Sequence, residues 1–205
     1  MPPSLHRSLR ATSWVLMSVA VLLVGYVGTL LGYESYRQHG LTAEWDRRHP
    51  SGSMVDARPT PHGAFLTRYP HLADGEPLFK LTIPRIHFSA VVTEGADTGI
   101  LSSGPGHDDH TSYPGEGGLI LVGNHNGFSM SWGDLGRGDE VVLDTDHGRH
   151  HYRIGRRSIL AGDDRSYIDA PRDTETLALV TCWPLWQGAL ARQRLILEAT
   201  PVVSA

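Results

Sequence analysis

The stretch Thr176-Leu-Ala-Leu-Val-Thr-Cys182-Trp183-Pro184 decides how the chain is read, because it brings the only cysteine of 205 residues to the end of an apolar run. Leu177, Leu179 and Val180, between Thr176 and Thr181, predict a largely buried strand. Pro184, which has no N–H to give a ladder, ends it. A single thiol cannot close an intramolecular disulfide. Cys182 is therefore either a small apolar packing residue or a reactive group.

Around this strand the chain from Leu78 onward consists of short β-like runs broken by glycine and proline. Leu78 to Ile83, Ala90 to Glu94, Gly118 to Val122, Glu140 to Asp144, His151 to Leu160, Thr176 to Thr181 and Arg194 to Thr200 read as strands. Short strands with turn signals between them predict an all-β domain, a closed barrel or a sandwich, over residues 77–205. Asp97 to Leu101 predicts a helical turn capped by Asp97 or Thr98, and Ser131 to Leu135 a second one. About 130 residues suffice for one such core.

Upstream the character changes. No formal charge falls between Ala11 and Tyr33, a window filled by Val, Leu and small residues. At about 1.5 Å rise per residue it matches the roughly 30 Å hydrocarbon layer of a bilayer. Arg7 and Arg10 precede it and Glu34 follows, which predicts a cytoplasmic N-terminus (1–10), a single transmembrane anchor (11–33) and a domain outside the cytoplasm. A cleaved signal peptide is the rival, but no small-x-small site follows the run. Glu34 to about His49 could continue the membrane helix for a few turns before Pro50 to Ser53 end it, and residues 34–76 read as a juxtamembrane stalk and linker with one short helix. The net charge of −4 carries no polyanion-binding signal, so no nucleic-acid partner is expected.

An exported domain with one cysteine directs attention to whatever else could serve a thiol nucleophile: a proton donor, and a cation for a developing oxyanion. Gly118-Leu-Ile-Leu-Val-Gly-Asn-His125-Asn126 is a second buried strand that carries a titratable residue out at one end. In Arg192-Gln-Arg194-Leu-Ile-Leu-Glu, strand alternation puts Arg194 on one face with Ile196 and Glu198, and Leu195 and Leu197 on the other. Arg192 shares the face of Arg194 and competes with it; His107 competes with His125.

At these residues the chain resembles the sortases, membrane-anchored cysteine transpeptidases. The matching pieces are Leu81-Thr-Ile-Pro84-Arg-Ile, Glu94-Gly95, Gly104-Pro-Gly-His107, Pro114-Gly-Glu-Gly, Gly123-Asn-His125-Asn, Gly138-Asp139, Leu179-Val-Thr-Cys182 and Arg194-Leu-Ile-Leu, in the family's order over about residues 78–200. The resemblance implies a closed barrel of about eight strands with short helices, with Cys182 as nucleophile, His125 as general acid and base, and Arg194 as the oxyanion-directed cation. It also implies a protein substrate with a C-terminal LPXTG-like sorting signal, a thioester intermediate, an amine acceptor, hydrolysis as a side reaction, and no cofactor or metal. His107, Asn124, Thr181, Trp183 and Trp186 are the candidate substrate-binding residues. Asn124, where most sortases have glycine, Asn126, where arginine is frequent, and the two indoles of Trp183-Pro-Leu-Trp186 depart from the common pattern and leave the class unassigned. Two other readings stand beside it: a membrane-tethered peptide-binding β-domain without catalysis, and a metal-dependent hydrolase using His107, Asp108, Asp109 and His110, or His147, His150 and His151.

Overall fold

Strand alternation sorts the apolar side chains into two sets, and the computed structural model, which describes residues 3–50, 53–57, 69 and 72–202, shows what each set packs against. Eight strands close into one barrel: β1 (Pro77–Ile83), β2 (Phe88–Glu94), β3 (Gly106–His107), β4 (Leu119–Asn124), β5 (Glu140–Thr145), β6 (Gly148–Ala161), β7 (Thr176–Trp183) and β8 (Gln193–Pro201). Around the barrel they run β1-β2-β3-β4-β7-β8-β6-β5, and β5 pairs back onto β1 through Leu81↔Leu143. Ile120, Val122, Leu177, Leu179, Leu195, Leu197 and Ala199 face inward into the main core with Phe79, Leu81, Val141, Leu143 and Tyr152. Their alternates Leu119, Leu121, Ala178, Val180 and Ile196 form a second cluster on the outer face, against which Leu160, Tyr167 and Ile168 pack.

Closure leaves little free sheet edge, which is how a small β-domain avoids edge-to-edge association; the short β3 covers only Thr93 and Glu94 of β2. The expected all-β barrel and its strands are present. One strand is new, β3, whose two residues are too few to carry any periodic signal. Asp97 caps the short helix α2 (Thr98–Leu101) by accepting from the Ile100 amide at 2.9 Å, and the turn expected near Ser131 is a 3-10 segment, Met130–Asp134, whose Trp132 is fully buried.

The chain divides into two units, Met1–Arg37 and Gln38–Ala205. In the first, helix α1 (Pro3–Arg48) begins, and its described side chains from Ser13 to Thr29 are uniformly exposed and uncharged. Among the described residues no helix is long and apolar enough to cross a membrane. The side chains of residues 1–12, 30, 31 and 33–35 lie outside the described ones, so the expected span 11–33 is only partly covered by that statement.

In the second unit the end of α1 belongs to the barrel. Trp45 is 1% exposed within the main core, Leu41 packs beside it, and Lys80 on β1 pairs with Asp46 at 2.7 Å. The Gln38 carboxamide donates to the carbonyls of Val91 (3.1 Å) and Ser103 (3.0 Å) and accepts from the Val91 amide (3.2 Å). Met54, Tyr69 and Leu72 also lean on the core, so the segment 34–76 contributes packing as well as reach.

β6 carries a titratable weak point. Burial first, then the neighbouring His147 and His151, push the pKa of His150 down to about 4. An unfolded histidine titrates near 6.5, so between those values the unfolded chain binds the extra proton. Stability is whole above about pH 6.5 and falls by up to about 3 kcal/mol as the pH drops towards 4. Urea unfolding at pH 7 and pH 4.5 should show a smaller acid loss for His150→Gln than for the parent chain; equal losses would remove His150 from the account.

Candidate active site

β4 and β7 are parallel neighbours with the register Leu119↔Thr176 through Asn124↔Thr181, at which the ladder ends. One residue beyond it on each strand stand His125 and Cys182. Cys182 is in turn the direct antiparallel partner of Arg194 on β8. Parity gives the direction. Cys182 follows Ala178 and Val180, Arg194 precedes Ile196, and His125, with extended backbone (φ −77°, ψ 150°), follows Leu121 and Gly123. All three therefore lie on the outer face of the sheet, the face that carries the second apolar cluster.

Each is half-buried, which leaves it accessible while limiting water around it. Arg194 Nη1 donates to the carbonyls of Ala191 (3.1 Å) and Gln193 (2.9 Å), holding the guanidinium at the mouth of the β7–β8 hairpin. Arg192, its rival from the sequence, is exposed and precedes β8, with its carbonyl accepting from the Gly162 amide at 2.7 Å. The register thus separates two arginines that spacing could not.

The segment between β6 and β7 roofs this face. Helix α4 (Ser166–Asp169) presents Tyr167 and Ile168 to the outer cluster, and Arg172 ties it down through the carbonyls of Ile168 (2.9 Å), Ala170 (2.8 Å) and Tyr167. Burial pushes the Tyr167 hydroxyl up, with Arg165 and Arg194 pulling against it, which places Arg194 within electrostatic reach of this wall. Sequence reasoning did not find Tyr167, Ile168 and Leu160. The available signal was one apolar pair inside a charged stretch.

The remaining candidates fall elsewhere. Asn124 and Thr181 have the opposite parity and face the barrel interior, 3% and 2% exposed. His107 pairs with Val122 and is fully buried, with Nδ1 3.1 Å from Glu94 Oε1 and Nε2 3.1 Å from the Ser112 carbonyl, beneath Tyr113, whose hydroxyl burial and Glu94 push up to about 12. Trp183 opposes Gln193, lies against the core and holds Arg157 over its ring at 5.2 Å. With Pro184, Trp186, Leu190 and Arg192 it lines a cavity of about 720 Å³, while the Trp186 indole is itself 76% exposed. The structure therefore assembles Cys182, His125 and Arg194 on one face and sets the five candidate substrate residues on the barrel side or on the β7–β8 loop.

As possible metal ligands, Asp108, Asp109 and His110 bring donor atoms within 4.8 Å of one another, but all lie in an exposed or half-exposed turn and are paired among themselves. His107, grouped with them in the sequence, points the other way into the barrel.

A closed barrel that ends two parallel strands in a thiol and an imidazole, with a guanidinium opposite the thiol, has the parts of a nucleophilic acyl-transfer site. The family model for the Sortase domain matches residues 81–202, well over half of the chain, and the chain belongs to the sortase family. It is 33% identical over 118 residues to Sortase D of Bacillus subtilis (strain 168), covering 57% of this chain and 60% of that protein, which is less than two thirds of the relative's length. The structure of sortase E from Streptomyces avermitilis is 27% identical with a TM-score of 0.56, covering 64% of this chain and 91% of that one. A Sortase D5 transpeptidase of Clostridium perfringens shares the fold at 23% identity, with a TM-score of 0.59 and coverage of 64% and 82%.

Proposed function

We propose that the chain is a membrane-anchored cysteine transpeptidase that cleaves a C-terminal LPXTG-like sorting signal and passes the acyl group to an amine. The observation that carries this reading is the placement of Cys182 directly opposite Arg194, with His125 one residue beyond the end of the neighbouring strand, all on one face. In the first half-reaction the Cys182 thiol gives its proton to His125 and the sulfur attacks the carbonyl carbon of the residue before the scissile bond. Arg194 faces the oxygen on which negative charge develops, and the half-buried setting makes that charge interaction count for more than it would in water. The C–N bond then breaks, His125 gives the leaving amine its proton, and an acyl thioester remains on Cys182.

In the second half-reaction an incoming amine loses a proton to His125 and attacks the thioester carbonyl. The sulfur leaves and takes that proton from His125, and a new amide bond has replaced the old one with no net redox change. Water in the amine's place yields hydrolysis. The roofed outer face, with Tyr167, Ile168 and Leu160 packed on the apolar cluster that leads up to Cys182, supports binding of an extended apolar peptide there. The charge-free run 11–33 behind Arg7 and Arg10 supports an anchor that holds the barrel outside the cytoplasm, near substrates that are themselves membrane-bound.

Mass spectrometry tests the proposal directly. The full chain in detergent, given a peptide containing Leu-Pro-x-Thr-Gly and an oligoglycine amine, should yield a ligated peptide and a trapped adduct on Cys182. Tight peptide binding with neither adduct nor product across a panel of signals would favour the non-catalytic binding domain. Activity lost to a chelator and unaffected by a thiol-directed inhibitor would favour metal-dependent hydrolysis.

A further inference from the structure

The backbone ladder stops one residue short of the reacting groups. Hydrogen bonding between β4 and β7 ends at Asn124↔Thr181, so the strand pairing itself does not fix the separation of His125 from Cys182. His125 stands at the N-cap of helix α3 (Asn126–Ser129), yet its ring makes no capping hydrogen bond that would tie it to the helix. A misplacement of about 1 Å at such a site can cost on the order of 100-fold in rate.

Two side-chain links cross the gap, both running from the His125 turn to segments that flank Cys182. The first is a relay. Ser129 Oγ lies 3.0 Å from the His125 carbonyl and 2.6 Å from Thr181 Oγ1. A hydroxyl has one proton, and the carbonyl can only accept, so Ser129 donates to His125 and Thr181 donates to Ser129. The second is Asn126 Nδ2, which donates to the Leu185 carbonyl at 2.5 Å. Thr181 immediately precedes Cys182 and Leu185 lies three residues after it.

These links are buried where water cannot substitute for them: Ser129 is 0%, Thr181 2% and Asn126 4% exposed. Thr181 points to the interior, opposite in parity to Cys182, so the Ser129 relay reaches the site from the barrel side. Asn126 spends its amide on Leu185 alone, since its Oδ1 is buried without a hydrogen-bond partner among the described residues.

We propose that Ser129 and Asn126 are positioning residues that together hold the His125 imidazole against the Cys182 thiol, doing beyond the end of the ladder what backbone hydrogen bonds do along it. The proposal rests on Cys182 and His125 being the reacting pair. Both side chains are buried and offer substrate no surface, so their loss should act on turnover and spare binding.

Steady-state transfer kinetics of the full chain test it, with thermal melting as the control for folding. Ser129→Ala and Asn126→Leu should each lower kcat by about 10-fold or more while KM stays within about twofold. Thr181→Val, which keeps the shape and removes the hydroxyl, should match Ser129→Ala, and Thr181→Ser, which restores the hydroxyl, should recover most of the kcat that Thr181→Val loses. Because Ser129 and Thr181 form one relay, Ser129→Ala combined with Thr181→Val should cost no more than either alone. If Ser129→Ala does not fold, the comparison of Thr181→Val with Thr181→Ser decides the relay. Unchanged kcat in the folded variants, or a loss confined to KM, overturns the proposal while thioester formation on Cys182 stands; absence of any Cys182 thioester in the parent chain overturns the reacting pair itself.

Discussion

Cys182→Ala should leave a folded chain with no detectable acyl-enzyme and a transfer rate lower by at least about 10⁴-fold, the scale seen when a nucleophile is removed from a covalent mechanism. No other cysteine exists to replace it, so residual turnover cannot come from a neighbouring thiol. The fold should tolerate the change. Cys182 is half-buried on the outer face, beyond the last Val of the second apolar cluster, and loss of one partly exposed sulfur should cost roughly 1 kcal/mol or less. The variant should therefore still bind a sorting-signal peptide with the parent's affinity. Intact-mass spectrometry and isothermal titration on the same preparation separate the two effects. Continued cleavage by this variant would remove the cysteine mechanism, whatever the family relationship.

Arg194→Ala should lower kcat by about 10²–10³-fold, the range for removing one donor to a developing oxyanion. Arg192→Ala, two residues away and of the same charge, should change it by less than about threefold. The contrast follows from register: Arg194 is the strand partner of Cys182, whereas Arg192 precedes the strand and contributes to the cavity beside Trp183. Both described hydrogen bonds of Arg194 leave from Nη1 and anchor it to the hairpin turn, which suits a cation that must be held in place. Arg194→Lys keeps the charge without the planar fork and should fall between the parent and the alanine variant. Equal losses from Arg192→Ala and Arg194→Ala would mean that general positive charge, and not placement, is what the site uses.

The three candidate residues Cys182, His125 and Arg194 could be picked out because each sits at the end of a strongly apolar strand, where hydrophobic pattern is most informative. The family's motif order then joined strands that pattern alone leaves unpaired. What stayed hidden has local causes. β3 is two residues long, and its pairing with both β2 and β4 puts His107 inside the barrel beside Glu94, a contact between residues far apart in any short sequence window. Leu41 and Trp45 lie among Glu44, Asp46, Arg47 and Arg48, whose charges give the end of α1 a solvated look although its indole is buried. Asn124 and Thr181 adjoin His125 and Cys182 in sequence, and strand alternation turns each to the other side. Tyr167 and Ile168 belong to a four-residue helix, too short for periodicity to mark.

The parallel pairing of β4 with β7 means that the chain between His125 and Cys182 must travel through β5 and β6, most of the way round the barrel, before the second strand can dock beside the first. Thiol and imidazole are thus strangers until the seam between β4 and β7 is sewn. A nascent or half-threaded polypeptide holds its thiol far from its imidazole, and a barrel that springs open parts them again. The nearness of the two groups is in this sense a certificate of completed folding, issued by topology.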